Sequence, residues 1–267
     1  SLIKTITLSD IYGYMTYLSR ERVLHQNSDA SGYGLNAASR ARKIATIRSF
    51  YKYLTNKVHL IKENPVKDLD SPKLKKTLPK YLTLEESVQL LSSVDGQNRE
   101  RDYCILTLFL NCGLRISELC ALNTTDIQDD ALRVLGKGNK VRIVYLNDAC
   151  KEALNGYLAV RRPIVGRDQN ALFLSSRNER VSRSTVHALV KKHLGEAGLD
   201  STQYSAHKLR HTAATLMLQN GVDVKAVQEV LGHEHLNTTE IYTHIDNEAL
   251  RVAAKANPLS RVKPPKK

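Results

Sequence analysis

Tryptophan is absent from the 267-residue chain and phenylalanine occurs only three times, so no aromatic platform for stacking single-stranded bases stands out. Cysteine is scarce as well. Cys104, Cys112, Cys120 and Cys150 include no CxxC pair, which argues against zinc-ribbon or thioredoxin-type spacing and reads as buried free thiols in a reducing compartment. No apolar run reaches the ~18 residues of a membrane span. The longest, CILTLFLNCGL at 104–114, reads as a core helix. No secretory leader pattern opens the chain, so the expected location is the cytoplasm, with no membrane partner.

Acid is what the two ends lack. Residues 1–80 carry 15 Lys and Arg against 6 Asp and Glu, and 261–267 add four cations and no acid. The stretch 81–260 has 21 of each sign, within a formal net charge of +13. A basic arm on a neutral body suggests that the arm follows a polyanion while the body places single cations at chosen points. A lysine-rich solvated surface is the plainer alternative.

The arm begins with a predicted helix over 7–22, in which Ile11, Met15 and Leu18 fall at helical spacing behind a Ser9 or Asp10 cap. A loop at 28–36 precedes a second helix over 37–56, striped by Ile44, Ile47, Tyr51 and Leu54. Arg40, Arg42, Lys43, Arg48 and Lys52 take much of its remaining surface, and the helix contains no acid. A solvated face would mix the signs, so these five are candidate phosphate contacts. Pro72 and Pro79 with Lys73, Lys75, Lys76 and Lys80 mark an extended basic linker over 71–82.

The predicted body restarts at TLEESVQLLSSV (83–94), where Thr83 caps a first turn holding Glu85 and Glu86. A buried helix follows in 101–112, with a glycine stop at Gly113 and a short helix from Arg115. ALRVLGKGNKVRIVYL (131–146) is a hairpin: two β-branched runs flank Gly136-Lys137-Gly138-Asn139. Lys140 and Arg142 on this ribbon are candidate DNA contacts. Helices are expected near 148–160, 182–197, 207–219, 223–231 and 238–245, giving a mainly α body with one small antiparallel sheet, an α+β class.

The 205–245 stretch crowds His207, Arg210, His211, His233, His235 and Tyr242 around two apolar helices. His207 and His211 are four apart, as in zinc-binding pairs, but Lys208, Leu209 and Arg210 stand where HExxH has its glutamate, and cations beside a zinc ion weaken it. No metal and no cofactor are expected. Taken singly, each histidine reads as a hydrogen-bonded core residue, Arg115 as a partner of nearby Glu118, and Tyr242 as core. Order and spacing weigh against that.

CGLRISELCAL (112–122), LGKGNKVRIVYL (135–146), HKLRHTAATLML (207–218) and LGHEHLNTTEIYTHI (231–245) resemble, in order, the first arginine box, the lysine hairpin, the HxLRH box and the LGH…Y box of the tyrosine recombinase (phage integrase) family, in the flavour of its Xer-like and mobile-element members. The resemblance covers about 80–246. It implies a recombinase that cleaves and rejoins duplex DNA through a 3′-phosphotyrosine, with Tyr242 as nucleophile and Arg115 and Arg210 forked onto the phosphate. His207 is the implied proton acceptor, His233 a phosphate donor or its helper, and Lys137 the acid for the leaving 5′-oxygen. Glu118 and His211 are implied supports. In the family the helix over 181–198 enters the major groove, which makes Arg183, His187 and Lys191 candidate contacts.

The implied organisation is a helical core-binding domain over 1–70, the linker, a catalytic domain over 83–246 and a tail over 247–267, which relatives donate to a neighbour and which here either does the same through Leu250, Val252, Ala253 and Leu259 or docks on its own body. Only two helices precede the linker and SLIKTITLSD lacks an initiator Met, so the first domain is expected to be cut. The implied partners are a duplex site with inverted repeats, a homo-tetramer on two duplexes on the bacterial nucleoid, and a paired recombinase or directionality factor. A topoisomerase-like nicking and closing enzyme shares the chemistry, and a regulator without chemistry shares the fold.

Overall fold

A computed structural model describes residues 2–21, 34–73, 80–136, 140–163, 168–232 and 247–265. The chain divides into two compact units, Ser1–Leu78 and Pro79–Lys267.

In the first unit, α1 (Leu8–Arg20) starts at Thr7, whose side chain and backbone exchange hydrogen bonds with Asp10. That reciprocal cap satisfies donors the first turn leaves open. Asn36 caps α2 (Ala37–Asn56) by a single bond, its Oδ1 accepting the N–H of Ser39. Ile11 from α1 and Ile44, Tyr51 and Leu54 from α2 close on Val66 and Leu69 to form this unit's core. The predicted stripe is the observed one.

The second unit is organised around α4 (Arg99–Cys112), which is buried along nearly its whole length and packs against α6 (Asp148–Val160) and α8 (Ala206–Gln219). Its N-terminal neighbour α3 (Leu84–Ser92) carries the Thr83–Glu86 capping box. The body begins inside the segment read as linker: Leu82 is fully buried, and its N–H donates to Thr212 Oγ1 at 2.9 Å. Gly113 ends α4 at φ +58, in the left-handed region that favours glycine, and a Cβ there would collide with Leu231 Cδ2. The chain then turns into α5 (Ile116–Ala121).

The sheet has three antiparallel strands in the order β1 (Ile127–Gln128), β2 (Ala131–Leu135) and β3 (Val141–Tyr145). The two-residue β1 adds to the predicted hairpin. Pairing of Arg133 with Ile143 and Val134 with Arg142 sets the register. Helices α7 (Arg183–Glu196) and α9 (Val224–Leu231) complete the body. The helix expected at 238–245 lies outside the described residues.

The four cysteines are free, as their spacing suggested, and burial pushes the Cys104 and Cys150 thiols well up. The segment α10 (Asn247–Lys255) and the 3-10 turn Pro258–Arg261 pack on their own body. Leu250 and Ala253 join Met217, Val227 and Val230, and Leu259 is wholly buried in the main core. Polar bonds fix the same arrangement: Asn257 Nδ2 donates to the Leu110 carbonyl at 3.0 Å, and Asn147 Nδ2 to that of Ala254 at 3.1 Å. Burial of one leucine contributes about 2 kcal/mol.

Candidate active site

Three elements converge beside the end of α4. Arg115 stands at the N-terminal boundary of α5, Arg210 lies in the second turn of α8, and α9 directs its C-terminus at both. Arg115 is half-buried. Its Nη1 donates to Glu118 Oε1 at 2.7 Å and its Nη2 to the Gly232 carbonyl at 2.9 Å. Arg210 is 5% exposed and donates through Nη1 to the Gly113 carbonyl and through Nη2 to the Leu231 carbonyl at 2.6 Å. A guanidinium has five N–H groups, so each of these two keeps donors for a further acceptor.

Among the described residues, Glu118 is the one carboxylate in the cluster. It is buried, accepts the Arg115 backbone N–H at 2.8 Å, and takes both Nη atoms of Arg142 at 2.8 and 2.9 Å. Burial pushes its pKa up, but the bonds from Arg142 and Arg115 and the positive charge of Arg142 outweigh that and hold it below its ordinary value. Glu118 Oε2 also lies 4.0 Å from Arg210 Nη1. Among the described residues, three guanidiniums around one carboxylate leave two surplus positive charges. Arg210 registers the strain: burial, then the charges of Arg115 and Arg142, pull its pKa down to about 10 despite the attraction of Glu118. Such an arrangement has the charge and the N–H donors to accept an anion.

His207 is exposed on the first turn of α8, one turn before Arg210. His211 is half-buried, with its ring edge-on to Tyr81 at 6.3 Å between centroids. Burial and the nearby Lys208 and His207 lower its pKa, favouring the neutral ring. Lys137, His233 and Tyr242 lie outside the described residues, as do Lys75 and Lys76. The structure therefore brings together Arg115, Glu118 and Arg210 of the expected set, with His207 on the same helix as Arg210.

The candidate DNA contacts divide. On α7, Arg183, His187 and Lys191 share one exposed face, opposite buried Val186, Leu189, Val190 and Leu194. Arg42, Lys52, Lys73 and Lys140 are exposed, Arg40 and Lys43 half-buried, and exposed Lys80 donates to the Gln203 side chain. Two expectations change. Arg48 turns inward to the Leu69 carbonyl, and Arg142 turns inward to Glu118 and away from the outer face of the ribbon. In both cases a buried acceptor draws the guanidinium in, since an unpaired carboxylate or carbonyl there is costly.

Sequence reading missed a second buried polar group. His193 of α7 is wholly buried with Nε2 3.0 Å from Asp102 Oδ2, and Asp102 also accepts from Arg101. Glu196 Oε2 is 2.8 Å from His193 Nδ1, at an angle that makes no hydrogen bond. The bond spans 91 positions, and no local pattern announces it.

This fold is that of the tyrosine recombinases. A XerH site-specific recombinase bound to difH substrate in a pre-cleavage complex superposes with a TM-score of 0.65 at 25% identity, over 94% of this chain and 71% of its own. XerA recombinase gives 0.55 at 31% identity, over 93% and 82%. The model of the Phage integrase family matches residues 80–249, and Tyrosine recombinase XerC of Caldanaerobacter subterraneus subsp. tengcongensis is 51% identical over 261 residues, 97% of this chain and 71% of the relative. The chain belongs to the phage integrase family, whose tyrosine recombinases are DNA strand-transferring enzymes of site-specific recombination. Among the described residues, no helix is long and apolar enough to cross a membrane.

Proposed function

We propose that this chain cleaves and rejoins duplex DNA at an Xer-like site with inverted repeats, and that Tyr242 is the nucleophile. The observation that carries the reading is the pairing of Arg115 and Arg210 in one cluster with two surplus positive charges. A phosphodiester brings one negative charge, and the five-coordinate transition state spreads about two over its oxygens, so the cluster matches the transition state better than the ground state. A free phenol is under ~1% ionised at pH 7 and needs both a base and nearby positive charge.

In the proposed step the Tyr242 oxygen bonds to phosphorus while the phosphorus bond to the 5′-oxygen breaks. The phenolic proton passes to His207, with His233 donating to a phosphate oxygen, and Lys137 gives a proton to the leaving 5′-oxygen. The 3′-phosphotyrosine conserves the bond, so attack by a 5′-hydroxyl restores the diester without ATP. If the hydroxyl comes from another duplex, strands are exchanged. The exposed face of α7 reads a groove, and the basic arm follows the backbone, with four protomers on two duplexes. The XerH complex with its difH substrate supports a DNA partner.

The test is a nicked suicide duplex, from which the 5′-hydroxyl fragment diffuses away after cleavage. Incubation is expected to give a protein–DNA adduct stable in denaturant, with the DNA on the peptide containing Tyr242. An adduct on another residue, or cut DNA with no adduct, overturns the assignment. Transfer of the trapped strand to a second duplex, as against relaxation of a supercoiled circle alone, separates recombination from nicking and closing.

A further inference from the structure

Arg142 sits on β3 between Val141 and Ile143, which are 45% and 38% exposed. Alternation along the strand places it on the other side, with buried Val144. There it spends three donors inward: Nη1 and Nη2 on the two oxygens of Glu118, and Nε on the Val230 carbonyl at 3.3 Å. The side chain is 15% exposed. It also runs beneath the glycine that ends α9, where a Cβ on Gly232 would stand 3.0 to 3.2 Å from its Cδ, Nε and Cζ.

The three arginines thus take three successive carbonyls at the end of α9: Arg142 on Val230, Arg210 on Leu231 and Arg115 on Gly232. These carbonyls carry the negative end of the helix dipole and have no partner within the helix. His233 follows at once, then the segment bearing Tyr242.

We propose that Arg142 is a positioning residue of the strand-transfer site, setting the aim of the Arg115 fork through Glu118 and pinning the end of α9 without gripping DNA. The inference rests on the Tyr242 reading above. Its physical core is competition for one carboxylate. With Arg142 in place both Glu118 oxygens are occupied, so the Arg115 side chain meets only Oε1, through Nη1, gives a second donor to the Gly232 carbonyl, and keeps its remaining N–H groups for the phosphate. Without Arg142, Glu118 takes Arg115 in the same two-pronged grip and turns the fork from the scissile group. Lysine offers a single point charge and cannot hold both oxygens and the Val230 carbonyl together.

The experiment uses the full chain, wild type, Arg142→Lys and Arg142→Gln, each checked for a cooperative melt. Affinity for the uncleaved duplex and the single-turnover rate of adduct formation at saturating protein are measured separately. Affinity is expected to stay within about threefold while the saturated rate falls about thirtyfold in both variants. A second duplex carries a methylphosphonate at the scissile position. With that charge removed the aim of Arg115 matters less, and the gap between wild type and Arg142→Lys is expected to shrink to a few-fold.

Three results overturn the proposal: a wild-type rate in Arg142→Lys, a loss of affinity with an unchanged saturated rate, or an equal gap on both duplexes. The first shows that the fork geometry is irrelevant, the second marks a phosphate contact, and the third marks general loosening. Should Arg142→Gln fail to fold, Arg142→Lys carries the same comparisons. Absence of a tyrosine adduct in the wild type would fall on the preceding assignment instead.

Discussion

Arg210→Ala is expected to lower the single-turnover cleavage rate by about 1,000-fold or more while leaving duplex affinity within about tenfold. Loss of one neutral donor to a transition-state oxyanion costs about 100- to 1,000-fold, and Arg210 supplies charged donors from a buried position where solvent screens little. Affinity is expected to rest instead on the many cations of the basic arm and α7. The side chain is also held under stress, with burial and two like charges bringing its pKa to about 10. A phosphate relieves that stress, so the interaction strengthens as negative charge builds. Arg210→Lys should recover only a small part of the rate, because an ammonium cannot span the Gly113 and Leu231 carbonyls and an anion together. Single-turnover kinetics at saturating protein checks both variants, and cleavage by Arg210→Ala within tenfold of wild type would remove Arg210 from the clamp.

Glu118→Gln should be the most destabilising conservative change in the body. It removes the carboxylate that neutralises Arg142 and part of Arg115, leaving buried like charges opposed, and losing one partner of a buried pair costs about 3–5 kcal/mol. For a body of this size that corresponds to a fall of about 10 °C in Tm. The effect has a pH signature. The folded pKa of Glu118 lies below its ordinary value, so its contribution is fully present above the unfolded pKa, about 4, and is lost as pH falls through the lower folded value. The Tm gap between wild type and variant should therefore be constant from pH 7 to about 5 and close below about 4. Melts across that range decide the matter. A gap that persists unchanged to pH 3 would mean that Glu118 acts by shape and not by charge.

Most elements were legible because their signals are local. The observed α2 has the predicted bounds, and the Thr83 capping box and the Gly113 stop stand where the sequence placed them. The inward turn of Arg142 was not legible because VRIVY alternates ambiguously: Val141, Ile143 and Tyr145 lie on one face and apolar Val144 on the other, and only the acceptor on Glu118, 24 positions away, draws Arg142 inward. The end of α9 was illegible for a different reason. The groups held by the arginines are backbone carbonyls, which every residue has and no residue type advertises. Likewise β1 is too short for periodicity, and His193 looked like one more polar residue at the edge of an apolar stripe.

The surplus of two positive charges around Glu118 has a practical outcome for any solution study. Sulfate and inorganic phosphate share the tetrahedral shape of the scissile group, carry at least its single negative charge, and are expected to compete for the same N–H donors. Apparent affinities and rates will then shift with the identity of the buffer anion at fixed ionic strength, and two laboratories working in phosphate and in chloride media would obtain different constants from identical enzyme.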